Sequence, residues 1–165
     1  MVVLMLLATA GLWAGCKVSY SFQGGKLGEN YKTISIQYFE SRAALASPTY
    51  SQDFTEALRD VFLQQTNLDL ADQFGDIQLE GEVTGYDTRP VAVTGNETAA
   101  LSRLTISVMV RCTNALDETE SFEQTFRRFA DFNASDNLAD VEEGLIADIN
   151  EQLVQDVFNK VVSDW

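Results

Sequence analysis

Apolar residues recur along this chain in two rhythms. Leu104, Ile106, Val108, Val110 and Cys112 alternate strictly with Arg103, Thr105, Ser107, Met109 and Arg111. A period of two places successive side chains on opposite faces of a strand, so Leu101 to Thr113 reads as a strand with one apolar and one polar face. Ile34, Ile36 and Tyr38, set against Thr33, Ser35 and Gln37, predict an earlier strand within Tyr31 to Phe39. Ile77, Leu79, Gly81 and Val83 predict another, continuing towards Val93 past a break at Arg89-Pro90. A polar turn around Asn114 to Thr119 returns the chain as a fourth strand, Ser121 to Phe132, with Phe122, Phe126 and Phe132 on one face. Two segments have the helical rhythm instead. Phe54, Leu58, Val61 and Phe62 follow Pro48 and a capping Thr49 or Ser51, and the pattern runs to about Thr66. Leu138, Val141, Leu145, Ile149, Leu153, Val157 and Val161, widened by Ile146, Val154 and Phe158, predict a last helix that Ser135 or Asp136 caps.

The order strand, helix, three strands, helix, with one apolar face per element, implies an α+β two-layer sandwich. Two helices pack on one face of a four-stranded mixed sheet. A length of 165 residues fits one domain, and neither a Pro- or Ser-rich linker nor an internal repeat divides it. Cys112 falls on the apolar parity of its strand and reads as a small core residue, not as a reactive thiol.

The amino terminus breaks both rhythms. Val2 to Trp13 is apolar and small apart from Thr9. It is too short for a membrane helix, which needs roughly 20 residues, but it matches the apolar core of a secretory signal. Ala14-Gly15-Cys16 then resembles the lipobox of bacterial lipoproteins, in which the cysteine thiol is acylated and the signal is cut just before it. Residues 1–15 are therefore expected to be a lipoprotein signal peptide and residues 16–30 a lipidated, glycine-bearing tether. Residues 31–165 are expected to form the single α+β domain. A plain secretory signal beside a chance cysteine is the other reading.

Charge and composition narrow the chemistry. Eleven Lys+Arg face twenty-five Asp+Glu, a formal −14, so a bare nucleic acid is a poor partner. Histidine is absent, which removes His-based triads and the usual zinc sets. Gly24-Gly25 has no P-loop lysine at the required spacing. No nucleophile, metal set or cofactor fingerprint emerges, and the chain is expected not to be an enzyme. The acidic residues from Asp131 onward lie opposite the last helix's apolar stripe and read as its solvated face.

The few bases carry more information. Arg103 and Arg111 share the polar parity of their strand, and Arg127 points away from Phe122 and Phe126, so all three should face outward together. Arg128 lands on the core parity, and a bulge would be needed to move it. These arginines suit either ordinary surface ion pairing or contact with phosphates and acidic groups of a partner, which a guanidinium fork fits well. The loop Thr94 to Thr98, with Thr94, Asn96 and Glu97, is a second candidate contact tip, or simply a hairpin connection.

Several segments together resemble one family. CKVSYSFQGG after the lipobox, TISIQYF, SQDFTEALRDVFLQQTNL, GEVTGYDTRPVAVTGNETAALSRLTISV and EEGLIADINEQLVQDVFNK look like the LptE-like lipopolysaccharide-assembly lipoproteins. The resemblance spans essentially the whole chain after the signal. It implies an outer-membrane lipoprotein facing the periplasm, anchored through Cys16, without cofactor or metal. Its implied partner is a large outer-membrane β-barrel, the LPS-assembly protein LptD, which it helps assemble and whose lumen it plugs. Lipopolysaccharide is a possible direct ligand. The alternative is a stand-alone lipid-anchored periplasmic module that binds a glycan or lipid; it would need a concave, aromatic-lined pocket where a plug would be convex and polar.

Overall fold

The computed structural model describes residues 28, 30–91 and 100–163. The signal, most of the tether with Cys16, and the loop residues Thr94, Asn96 and Glu97 lie outside the described residues. Among the described residues, six strands and two α-helices follow in the order β1 (Thr33–Ile36), β2 (Glu40–Ser41), α1 (Tyr50–Gln65), β3 (Asp69–Leu70), β4 (Ile77–Val91), β5 (Leu101–Asn114), β6 (Phe122–Asn133) and α2 (Leu138–Ser163). One 3-10 turn, Glu118–Glu120, sits between β5 and β6.

The sheet is mixed and has six strands, not the four expected. Its order is β3-β1-β4-β5-β6, with β2 also paired to β4. β1 and β2 run parallel to β4, while β4, β5 and β6 form an antiparallel meander. β2 and β3 are two residues each, and all four of their residues are exposed. Elements that short and that exposed carry no alternation to read.

The expected first strand, Tyr31 to Phe39, ends early for a packing reason. After Ile36 the chain leaves regular pairing so that Phe39 can turn fully into the core, where its N–H donates to Thr55 Oγ1 at 3.1 Å. Gly81 makes room for it: a Cβ there would lie 2.1 Å from Met109 O and 2.5 Å from the Phe39 ring.

β4 departs from expectation in the opposite way. The break at Arg89-Pro90 does not occur, and pairing with β5 continues to Val91. Proline is tolerated there because β2 reaches only Glu82 and Val83, leaving this stretch paired on one side. The irregularity lies earlier, as a register shift between Val83 and Gly85. The extra residue, Thr84, reverses the parity: Ile77, Leu79 and Val83 are buried before it and Tyr86 after it.

Helix starts also differ in detail. Thr49 precedes α1 but its side chain makes no capping bond; its Oγ1 lies 3.1 Å from Ser47 Oγ instead. Ser51 is inside the helix. α2 begins at Leu138, one residue later than an Asp136 cap and two later than a Ser135 cap would require, with Asn137 Oδ1 accepting from the Ala139 N–H at 3.4 Å.

One core joins the layers: Phe54, Leu58 and Phe62 of α1, Ile149, Leu153 and Val157 of α2, and Ile34, Leu79, Ile106 and Val108 of the sheet. Fully burying each such side chain stabilises by about 1.5–3 kcal/mol. Rings of Phe62 and Phe158 meet at 5.1 Å and tie the helices together. Cys112 is fully buried in this core, and burial pushes its thiol up to about 12. Only the second half of α2 is deeply buried; Leu138, Val141, Leu145 and Ile146 are half-buried. Among the described residues no helix is long and apolar enough to cross a membrane.

Candidate functional site

The meander β4-β5-β6 turns its other face away from the helices, and the strand parity decides what stands there. From β5 come Arg103, Thr105, Ser107, Met109 and Arg111; from β6, Glu123, Thr125, Arg127, Phe129 and Asp131. β4 contributes Gln78, Glu80 and Glu82 before its bulge and Asp87 and Arg89 after it. Arg103, Arg111 and Arg127 therefore do share one open face. They do not converge. Arg103 and Arg111 are eight residues apart on one strand, about 27 Å at the rise of an extended chain, and Arg127 pairs in register with Ser107 between them.

Each arginine is held differently. Arg103 makes a two-point contact with Asp131, 2.6 Å from Nε to Oδ1 and 2.8 Å from Nη2 to Oδ2. Its guanidinium also lies 3.6 Å from the centre of the Phe129 ring, a cation–π stack. That contact holds the Asp131 carboxyl below the usual carboxylate range, chiefly through the hydrogen bonds from Arg103. Arg111 bridges two strands at once, donating to Glu80 Oε1 at 2.7 Å and to Glu123 Oε2 at 2.7 and 2.9 Å. Arg127 has no carboxylate partner among the described residues; its Nε donates to Ser107 Oγ at 3.2 Å. Two of the three guanidiniums are thus already engaged, and Arg127 is the one whose charge is not neutralised in place.

Arg128 stays on the core parity. β5 and β6 pair without a register shift, so no bulge moves it, and it reaches across to α2 instead. Its Nε and Nη2 bind Asp156 at 2.5 and 2.6 Å. An arginine on the helix-facing side of an edge strand is accommodated because the helix above supplies its carboxylate.

Two members of the open face escaped the sequence reading. Arg89 sits directly opposite Arg103, its like charge offset by Asp87 at 2.5 Å. Only the Thr84 bulge puts it there, and its one local signal is Gly85, a glycine inside the strand beside it. Phe129 was legible: it shares the odd parity of Arg127 and is 47% exposed.

The face as a whole is nearly neutral. Glu80, Glu82, Asp87, Glu123 and Asp131 are met by Arg89, Arg103, Arg111 and Arg127, with Arg42 bound to Glu82 at 2.6 Å. The helical layer is not. α1 and α2 carry nine carboxylates, three and six respectively, against Arg59 and Lys160, a formal −7. Among the described residues no three acidic or cysteine side chains are grouped to hold a metal ion.

Comparison with known proteins places this geometry. The family model described as lipopolysaccharide-assembly, LptE, matches residues 31–161. A search of curated proteins finds no match. Among solved structures, the chain is similar to a minor lipoprotein from Acinetobacter baumannii at 13% identity and a TM-score of 0.54, covering 81% of this chain and 94% of that one. It is also similar to the uncharacterized lipoprotein B of Nitrosomonas europaea, at 15% identity and a TM-score of 0.54 over 86% and 88% of the two chains. The rare lipoprotein B of Shewanella oneidensis is similar at 12% identity and a TM-score of 0.50, over 80% and 91%. At such identities the structural likeness shows a shared fold.

Proposed function

The chain belongs to the LptE family of lipopolysaccharide-assembly lipoproteins, a non-enzymatic family, and from that premise we propose that it helps assemble and then plugs the lipopolysaccharide-exporting β-barrel of the outer membrane. In this reading Cys16 carries the lipid, residues 16–30 tether the domain formed by residues 31–165, and the body faces the periplasm. The carrying observation is the family match over residues 31–161.

The open face of the sheet supports the reading on physical grounds. It is polar, almost charge-balanced and stiffened by ion pairs spanning three strands. A surface of that kind can lie against the hydrated inner wall of a barrel without burying an uncompensated charge. Arg127, free of a carboxylate partner among the described residues, would meet an acidic wall residue or a lipid A phosphate. Arg103 and Arg111 border it on either side. Thr94, Asn96 and Glu97 belong to the connection between β4 and β5 and would form the tip of the same face. A stand-alone glycan-binding module would instead call for an aromatic-lined hollow, and the groove described below has Tyr50 as its one aromatic residue among ten.

The test is co-purification from membranes solubilised in mild detergent. We expect a tagged full-length protein to bring down an LptD-like β-barrel. Cys16→Ser is expected to leave an uncut or soluble precursor that loses it. A tagged protein that fractionates with the outer membrane but brings down no barrel would sink the plug reading while leaving the anchor intact.

A further inference from the structure

On the opposite side of the molecule from the open sheet face, the first turn of α1 and the first half of α2 diverge. They leave a groove of about 480 Å³. From α2 it takes Glu142, Glu143, Ile146 and Asn150, one helical face at three- and four-residue spacing; from α1, Tyr50 and Asp53.

Two residues lining this groove carry a buried polar atom with no hydrogen-bond partner: Tyr50, which has no exposed surface, at its hydroxyl, and Asn150 at Oδ1. Buried polar atoms are satisfied in the great majority of cases, so two orphans in the wall of one groove call for an explanation. Beside them, Glu142 accepts a hydrogen bond from the Tyr86 hydroxyl, which orients its carboxylate. Burial pushes the Tyr50 phenol well above its ordinary value, so it remains a neutral group able both to donate and to accept.

Charge supplies the second half of the argument. Among the described residues, none of the Asp53, Glu142 and Glu143 carboxylates forms an ion pair. The helix dipole accounts for Asp53 in the first turn of α1, but Glu142 and Glu143 lie past the first turn of α2, where the dipole has faded. The bases of the two helices are elsewhere: Arg59 donates to Ile36 O at 2.8 Å, and Lys160 is ten residues beyond Asn150, about 15 Å along the helix. The acids do not group closely enough for a metal ion. Separated carboxylates around deeper hydrogen-bonding oxygens suit a larger, donor-rich cation.

We propose that the groove between α1 and α2 binds an organic cation, a guanidinium or primary ammonium group on an alkyl stem. Its N–H groups are accepted by Glu142, by Asn150 Oδ1 and by the Tyr50 oxygen, Glu143 and Asp53 add charge at the rim, and the stem lies along Ile146. The same chemistry is offered by an arginine or lysine side chain of a partner and by a free polyamine. The site is independent of the barrel reading, since it lies on the helical layer and uses none of the sheet-face arginines.

The experiment is a nuclear magnetic resonance titration of the protein, following backbone amides of residues 49–53 and 139–150. N-acetyl-argininamide represents a side chain, spermidine a free polyamine, and N-acetyl-citrullinamide the same shape without charge. We expect saturable shifts with a Kd of about 1 mM for a single guanidinium, a level reachable with a few charge-assisted hydrogen bonds, and none with the citrulline amide. Glu142→Gln should weaken binding about tenfold, as losing one charge-assisted hydrogen bond does. Tyr50→Phe, which removes an oxygen with no partner in the fold, should weaken it several-fold at an unchanged melting temperature. Glu118→Gln, on the exposed turn before β6, should change nothing. Tighter binding of spermidine would assign the site to free polyamines, and tighter binding of the arginine amide to a protein side chain; either supports the proposal. Absence of saturable shifts with both cations, equal shifts with the citrulline amide, or an affinity that survives both Glu142→Gln and Tyr50→Phe would overturn it.

Discussion

At the scale of single residues, Asp76 shows how one carboxylate can close a fold. Its Oδ2 accepts the N–H groups of Lys32 and Thr33 at 2.8 and 2.9 Å and the Thr33 hydroxyl at 3.0 Å, while its own N–H donates back to Thr33 Oγ1. The entry to β1 is thereby fastened to the entry to β4. Those donors, the Lys32 N–H foremost, hold the Asp76 carboxyl below the usual carboxylate range. A carboxyl whose folded value is lowered contributes stability that is fully present above its unfolded value, about 3.9. That contribution disappears as pH falls through the lower folded value. We therefore expect Asp76→Asn to cost about 1–2 kcal/mol at pH 7. The gap to wild type should shrink in denaturant melts as pH is lowered below about 4. A gap that stays constant across that window would show that the charge contributes nothing. None of this was legible beforehand, because hydrogen bonding across more than forty residues leaves no local trace. Cys112 was legible, because its strand's alternation alone assigned it to the core.

At the scale of elements, periodicity located both helices and all the long strands, and it failed where packing overrides pattern. The two-residue strands have no pattern, and the Thr84 bulge reverses parity with only Gly85, a glycine inside the strand, to signal it. α2 is the instructive case. Its apolar stripe runs the full length, yet burial is complete only from Ile149 onward, because the first half lies beside the groove where α1 diverges. Leu153 is fully buried and Leu145 only half-buried, although the sequence treats them alike. We expect Leu153→Ala to cost about 2–5 kcal/mol and Leu145→Ala about 1 kcal/mol, in proportion to the apolar area each removes from water. Equal losses in urea melts would mean the first half of α2 packs as tightly as the second.

At the scale of the whole molecule, charge is sorted between two sides. Of the net −14, a formal −7 lies on the two helices, while the open sheet face is almost neutral. An anionic lipid is not drawn in from afar, since the net field repels it and salt screens beyond roughly 8 Å. Contact with phosphate or with an acidic wall must be made at hydrogen-bond range, on the one side where repulsion is already compensated. Within that side the arginines are not equivalent. Engaging a new anion through Arg103 or Arg111 means competing with Asp131, or with Glu80 and Glu123, which already hold them. Arg127 gives up only a hydrogen bond to Ser107. If this face meets the partner or the lipid, Arg127→Gln should therefore account for most of the loss seen when Arg103, Arg111 and Arg127 are all replaced by Gln. Arg103→Gln and Arg111→Gln alone should have smaller effects, and all variants should melt near wild type, because the substitutions leave the apolar core untouched. Calorimetric titration with purified lipopolysaccharide and the pull-down yield of the barrel measure the two kinds of contact separately. A triple variant with both values unchanged would return the arginines to ordinary surface pairing. A loss shared evenly among the three would mean that the ion pairs of the free protein are exchanged on binding.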